Sequence, residues 1–148
     1  MRDLARIALA DRYAWALLSG RPTPYIWGGK NALVGLDCSG FVCVLLCAVG
    51  NLPWGTVLNA DGLWQKFPQA SVPLPGMLAC FGSAGHATHV AWVTQVVDGV
   101  PYMIEEGAGG PNDTTEAQAA KDGAYLKLSP VGRRSDLLGF ADPWVVAG

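Results

Sequence analysis

Imidazole is scarce in this sequence: 148 residues contain two histidines, His86 and His89, both in AGHATHVAWV (84–93). Any reaction needing a histidine base must draw on that one stretch. Charge is also sparse, at 15% of residues and a net of −2, and the only adjacent basic pair is Arg133–Arg134. No basic face for a polyanion can be built from so little, which sets nucleic acid aside as a partner. The longest apolar run, FVCVLLCAV (41–49), falls far short of the roughly 20 residues that span a bilayer. The first 18 residues, MRDLARIALADRYAWALL, are broken by Asp3, Arg6, Asp11 and Arg12, so they lack the unbroken apolar core of a secretory leader. Synthesis in a cytoplasm and no membrane partner are the expectations. Of the four cysteines, Cys38, Cys43, Cys47 and Cys80, no two form a C-x-x-C pair, which argues against a structural zinc site.

What is present suits one globular domain over 1–148, with 51% apolar residues to build a core. No internal repeat or linker interrupts it. Leu4, Ile7, Ala8, Trp15 and Leu18 recur at helical spacing, and SGRPTP (19–24) supplies the stop, predicting a helix over 3–18. The glycine-punctuated YIWGGKNALVGLD (25–37) reads as an irregular functional loop. A second helix is predicted from Cys38 to GNLP (50–53), and a short helical turn over 59–66. Runs rich in β-branched and aromatic residues follow at 77–82, 89–99, 100–107 and 124–130, with a further strand near 137–140. They read as a meander of antiparallel strands. The polar connection 107–123 is expected to border the site. Helices first and strands afterwards predict an α+β domain, helices packed on one antiparallel sheet.

Cys43, Cys47 and Cys80 lie in apolar company and read as small core hydrophobes. Cys38 differs, because it stands between Asp37 and Ser39 where a helix begins. Free backbone N–H groups and the helix dipole there favour a thiolate. The same groups can donate to a developing oxyanion. Asp37 would cap the helix or contact a substrate, and Gly40 would let backbone pack closely. Of the two histidines, His89 opens a strand and is preferred as base over His86, which lies in a glycine-alanine loop. Small Ala91, on the same strand face as His89, is expected to leave room against the Cys38 helix. One of Glu105 and Glu106, on the next strand, would orient the imidazole, with Glu105 preferred.

YIWGG, DCSGFV, GNLP, LPG and HVAWV occur in this order between residues 24 and 106, an arrangement that resembles the NlpC-type cell-wall cysteine peptidases. The resemblance implies a papain-like fold with the nucleophile on a helix packed against an antiparallel sheet. It also implies hydrolysis of peptidoglycan stem peptides, most often between D-glutamate and diaminopimelate or lysine, without a metal or organic cofactor. Carried over, Cys38 is the nucleophile and His89 the base. Tyr25 would help polarise the carbonyl, and Asp37 and Ser39 would line the groove for the N-terminal part of the stem peptide. Two positions depart from the family: Glu105 stands where His, Asn or Gln is usual, and Met77 replaces the acidic residue of a PGD turn. An amidase cutting the muramoyl–L-alanine bond, a silent wall-binding or tail-assembly module, and a protein-modifying acyltransferase or deamidase remain rival readings. The expected setting is a phage lysis enzyme or an injected effector acting at the wall, with any immunity or assembly partner unknown.

Overall fold

The computed structural model describes residues 2–19, 23–32, 35–107 and 110–145. Gly20 and Pro22 of the predicted helix stop, and Ala108 and Gly109 of the polar connection, lie outside them. Helix α1 (Leu4–Leu18) opens on Asp3, whose Oδ1 accepts the Arg6 N–H at 3.1 Å, and it buries Ile7, Ala10 and Ala14. Side-chain caps of this kind supply a partner for an N–H that the first turn leaves free. Helix α2 (Cys38–Ala48) buries Phe41, Val42, Leu45 and Leu46 completely. An apolar surface nearly all round a helix requires burial on several sides. Helix α3 (Ala60–Lys66), capped by Asn59, fulfils the predicted turn over 59–66.

Two short strands, β1 (Lys30–Asn31) and β2 (Gly35–Leu36), pair within the glycine-rich loop. The main sheet contains β3 (Gln69–Ala70), β4 (Leu78–Ser83), β5 (His86–Val97), β6 (Val100–Glu106), β7 (Leu126–Pro130) and β8 (Leu137–Ala141). Its order is β3-β8-β4-β5-β6-β7, all neighbours antiparallel. The predicted meander therefore holds for β4 to β7, while β8 returns to the far side of β4. Both hairpin turns flanking β5 place two residues at positive φ, Ala84–Gly85 and Asp98–Gly99, the geometry that matches strand twist in two-residue loops. A helix α4 (Glu116–Asp122) lies inside the connection read as merely polar, and a 3-10 turn, Val131–Arg133, follows β7.

Alternation along the strands divides the core into two layers. Val90, Trp92, Ile104 and Leu126 pack with α1 and α2 on one face, and Ala91, Val93, Met103 and Val131 pack on the other. Asp11 fastens α1 to the sheet by accepting from Trp92 Nε1 at 2.8 Å and Thr94 Oγ1 at 2.7 Å. Ala91 thus faces away from α2, and the expectation that it makes room for the Cys38 helix is corrected. Room comes from the strands themselves. The β5–β6 pairing ends at Trp92↔Ile104, while β5 stays on β4 as far as His86 and β6 stays on β7 as far as Glu106. Past that point β5 and β6 are no longer paired, and Cys38 at the open end of α2 lines one cleft there with His89 and Glu106.

Candidate active site

The loop before α2 builds the helix end from backbone. Gly29 C=O accepts the Asp37 N–H at 3.0 Å, and a Cβ placed on Gly40 would lie 2.0 Å from that same oxygen. Only glycine allows so close an approach, as expected for Gly40. Asp37 Oδ1 accepts the Gly40 N–H at 2.6 Å and the Ser39 hydroxyl at 3.3 Å. Asp37 and buried Ser39 are therefore engaged in the cap. Cys38, half-buried, occupies the first helical position. Burial pushes its thiol up, and nearby Asp37 adds to the rise, while backbone N–H groups of Val90, Ser39 and Cys38 oppose it without cancelling it. Desolvation thus works against the thiolate that the helix end favours.

His89 lies on the opposite face of the sheet from α2, and its Nε2 is 2.9 Å from Glu105 Oε1. Glu105 is wholly buried and is gripped from the other side by Arg133, whose Nε donates to Oε2 and Nη2 to Oε1, each at 2.7 Å. Burial by itself would raise this carboxyl and is the largest single influence. The hydrogen bonds and charges of His89 and Arg133 together overcome it and hold the acid down at about 2. Two planar donors on one carboxylate also fix its orientation. Phe81 packs on the His89 ring with centroids 5.6 Å apart, and the Arg134 guanidinium lies 4.9 Å above Phe81 on a pair with Asp136.

A cleft of about 230 Å³ joins the two faces, lined by Tyr25, Cys38, His89 and Glu106 together with Trp27 and Arg134. Gly107, Gly110 and Pro111 complete one wall, so the polar connection borders the site as expected. Burial and the negative groups around Cys38 raise the Tyr25 hydroxyl well above the usual range, which keeps it a proton donor. The structure therefore brings Tyr25, Cys38 and His89 to one cleft, with Glu105 behind His89 and with Asp37 and Ser39 in the cap below. His86 is directed elsewhere, 3.4 Å from Asp61 on α3. Of the other cysteines, Cys43 and Cys80 are buried and Cys47 is half-buried.

Arg133 was not among the residues singled out from the sequence. Its only signal was membership of the lone basic pair, which carries no hint of which partner each arginine takes. Trp27 and Arg134 were missed for the same reason, since a cleft wall gathered from distant segments has no local pattern.

No curated protein matches the chain. Solved structures do. The NlpC/p60 domain of the peptidoglycan hydrolase SagA is 25% identical, with a TM-score of 0.61 over 93% of this chain and 96% of that one. An NLP/P60 family protein similar to a lipoprotein, from Staphylococcus aureus subsp. aureus Mu50, is 19% identical with a TM-score of 0.67, over 97% of this chain and 43% of its own. NlpC1 from Trichomonas vaginalis is 16% identical with a TM-score of 0.65, over 93% of this chain and 45% of its own. These last two likenesses bear on the fold, which is α+β and papain-like. The NlpC/P60 family profile matches residues 22–118, from the segment leading into Tyr25 through Cys38, His89 and Glu105, and the chain belongs to the NlpC/P60 family.

Proposed function

We propose that the protein is a peptidoglycan hydrolase, a cysteine endopeptidase that cuts a stem-peptide amide bond after D-glutamate. The observation that carries this reading is one cleft lined by Cys38 and by a histidine that is paired to a buried, ionised carboxylate. The family and the SagA likeness support the wall as substrate.

In this mechanism the thiol of Cys38 gives its proton to His89 as sulfur attacks the carbonyl carbon. Glu105 stays ionised throughout, holds the ring and stabilises the imidazolium, and Arg133 holds Glu105. Backbone N–H groups of Cys38 and Ser39 at the open end of α2 receive the oxyanion, with the Tyr25 hydroxyl as a further donor. His89 then protonates the departing amine, leaving a thioester on Cys38. Water, deprotonated by the same imidazole, attacks the thioester, and the acid leaves as the thiol is restored. Asp37 and Ser39 serve this site through the cap they build.

Incubation of wild type and Cys38→Ala with purified diaminopimelate-type and lysine-type peptidoglycan, followed by mass spectrometry of the fragments, tests the reading. The expected result is new amino termini on diaminopimelate or lysine that vanish in Cys38→Ala, a loss of roughly 10⁴-fold or more. New amino termini on L-alanine would instead make the protein an amidase. No cleavage of either wall by the folded, reduced protein would overturn the hydrolase reading.

A further inference from the structure

One ionisable group in the cleft has no place in that mechanism. Glu106 is 1% exposed, and neither carboxyl oxygen has a hydrogen-bond partner. A polar group buried this way weakens the fold, and the site lies one residue from Glu105, whose oxygens both have partners. Packing alone would be served by an apolar side chain like that of Ile104, two residues earlier on the same strand face.

The groups around Glu106 make its charge state matter. The charges of Asp37 in the α2 cap and of Lys127 on β7 bear on it, it bears in turn on the Tyr25 hydroxyl, and Cys38, His89 and Arg134 share its cleft. Asp37 already places one negative charge at the root of the nucleophile. Cleavage then adds another, first on sulfur and then on the oxyanion. A second carboxylate in the same water-poor space would oppose that charge directly.

We propose that Glu106 is a positioning residue which, as a neutral acid, lets negative charge develop on Cys38, and which suppresses that thiolate once it ionises. It would act through the field at Cys38 and Tyr25 rather than by touching substrate. Burial, reinforced by Asp37 and opposed by Lys127, raises its carboxyl to about 9, so the neutral form persists through neutral pH. The alkaline side of the activity then carries the titration of a carboxylic acid in addition to that of the Cys38 thiol.

The inference rests on the reading of Cys38 as nucleophile, and thiol chemistry tests it without any wall substrate. Peptide-resolved mass spectrometry would follow iodoacetamide alkylation of Cys38 in wild type and Glu106→Gln between pH 7 and 10. The expected result is a ratio of rates, pH 10 over pH 7, about tenfold higher in Glu106→Gln, corresponding to roughly one pKa unit at the thiol. Equal ratios in the two proteins would overturn the proposal. Carbon-13 NMR of the Glu106 carboxyl in intact wild type gives a second decision, independent of how the variant folds. A carboxyl that titrates in the alkaline range supports the proposal, and one that titrates in the ordinary carboxylate range overturns it. If the alkylation ratio shifts while neither wall is cleaved, the hydrolase reading fails and the role of Glu106 stands.

Discussion

At the end of β6 the two faces of the sheet hold the same side chain in opposite states. Glu105, on the face away from the helices, is 0% exposed and held at about 2, whereas Glu106, on the helix face, is 1% exposed and raised to about 9. Depth of burial is the same and raises both. What differs is the company each face offers. The far face brings a guanidinium and an imidazole to Glu105, while the helix face brings the Asp37 carboxylate and no hydrogen-bond donor to Glu106. A buried carboxyl is thus an anion or an acid according to its donors, and two adjacent residues of one strand meet different donors because their side chains alternate.

The contrast can be broken most forcefully at Glu105. Glu105→Gln removes the charge that steadies the imidazolium and offers His89 an amide that can hold the wrong tautomer. The expected fall in kcat is of order 10³–10⁴-fold, read by steady-state hydrolysis of wall fragments. A fall of less than tenfold would mean that His89 does not need this partner.

A smaller effect should follow from taking away one donor. Arg133→Ala leaves Glu105 buried with His89 alone, at an expected cost of about 1.5–3 kcal/mol for hydrogen bonds to a charged group. The sign with pH follows from the lowered acid. Because Glu105 is held at about 2 when folded, its contribution is complete above the ordinary carboxylate range and is lost as pH falls toward 2. Denaturant unfolding at several pH values should show a smaller acid loss, complete at higher pH, in Arg133→Ala. Superimposable acid limbs would place the arginine outside the network.

A change of comparable size lies on the other face, and it has the opposite sign. Folding raises Glu106 from an ordinary 4.5 to about 9, so between those values the folded protein holds a proton that the unfolded chain releases. Stability from this group is highest below the ordinary value and declines as pH rises, by up to about 1.4 kcal/mol per pH unit. Unfolding of Glu106→Gln should show a flatter dependence from pH 6 to 8. An unchanged slope would mean that Glu106 is already ionised in the fold and would erase the contrast with Glu105.

Much of this molecule is legible along the chain. The apolar period of 3–18 yields α1 (Leu4–Leu18), and the motif DCSG yields a capped helix opening on Cys38. Alternating β-branched runs yield β4 to β7 within a few residues of their observed ends, and Asp98-Gly99 marks a real hairpin turn. These features are local, so a few adjacent residues carry both cause and effect. Two-residue strands and α4 escaped notice because they are too short, or too polar, to show a period. Both carboxyls stand one strand after His89, and it is the preferred Glu105 that the structure pairs with His89 at 2.9 Å.

What the chain order alone determined is the set of chemical groups and their local frames: a cysteine on a helix end, a histidine on a strand, two carboxyls in a row. What only tertiary structure decided is which of them meet and in what charge state. The β5–β6 pairing ends at Trp92↔Ile104, and beyond it Cys38 of the helix and His89 of the strand line one cleft. Arg133, from beyond β7, settles Glu105 as an anion, and its absence from the helix face leaves Glu106 an acid. Solvation and pairing are properties of three-dimensional neighbours, and the sequence around Glu105 and Glu106 contains no arginine within reach of either.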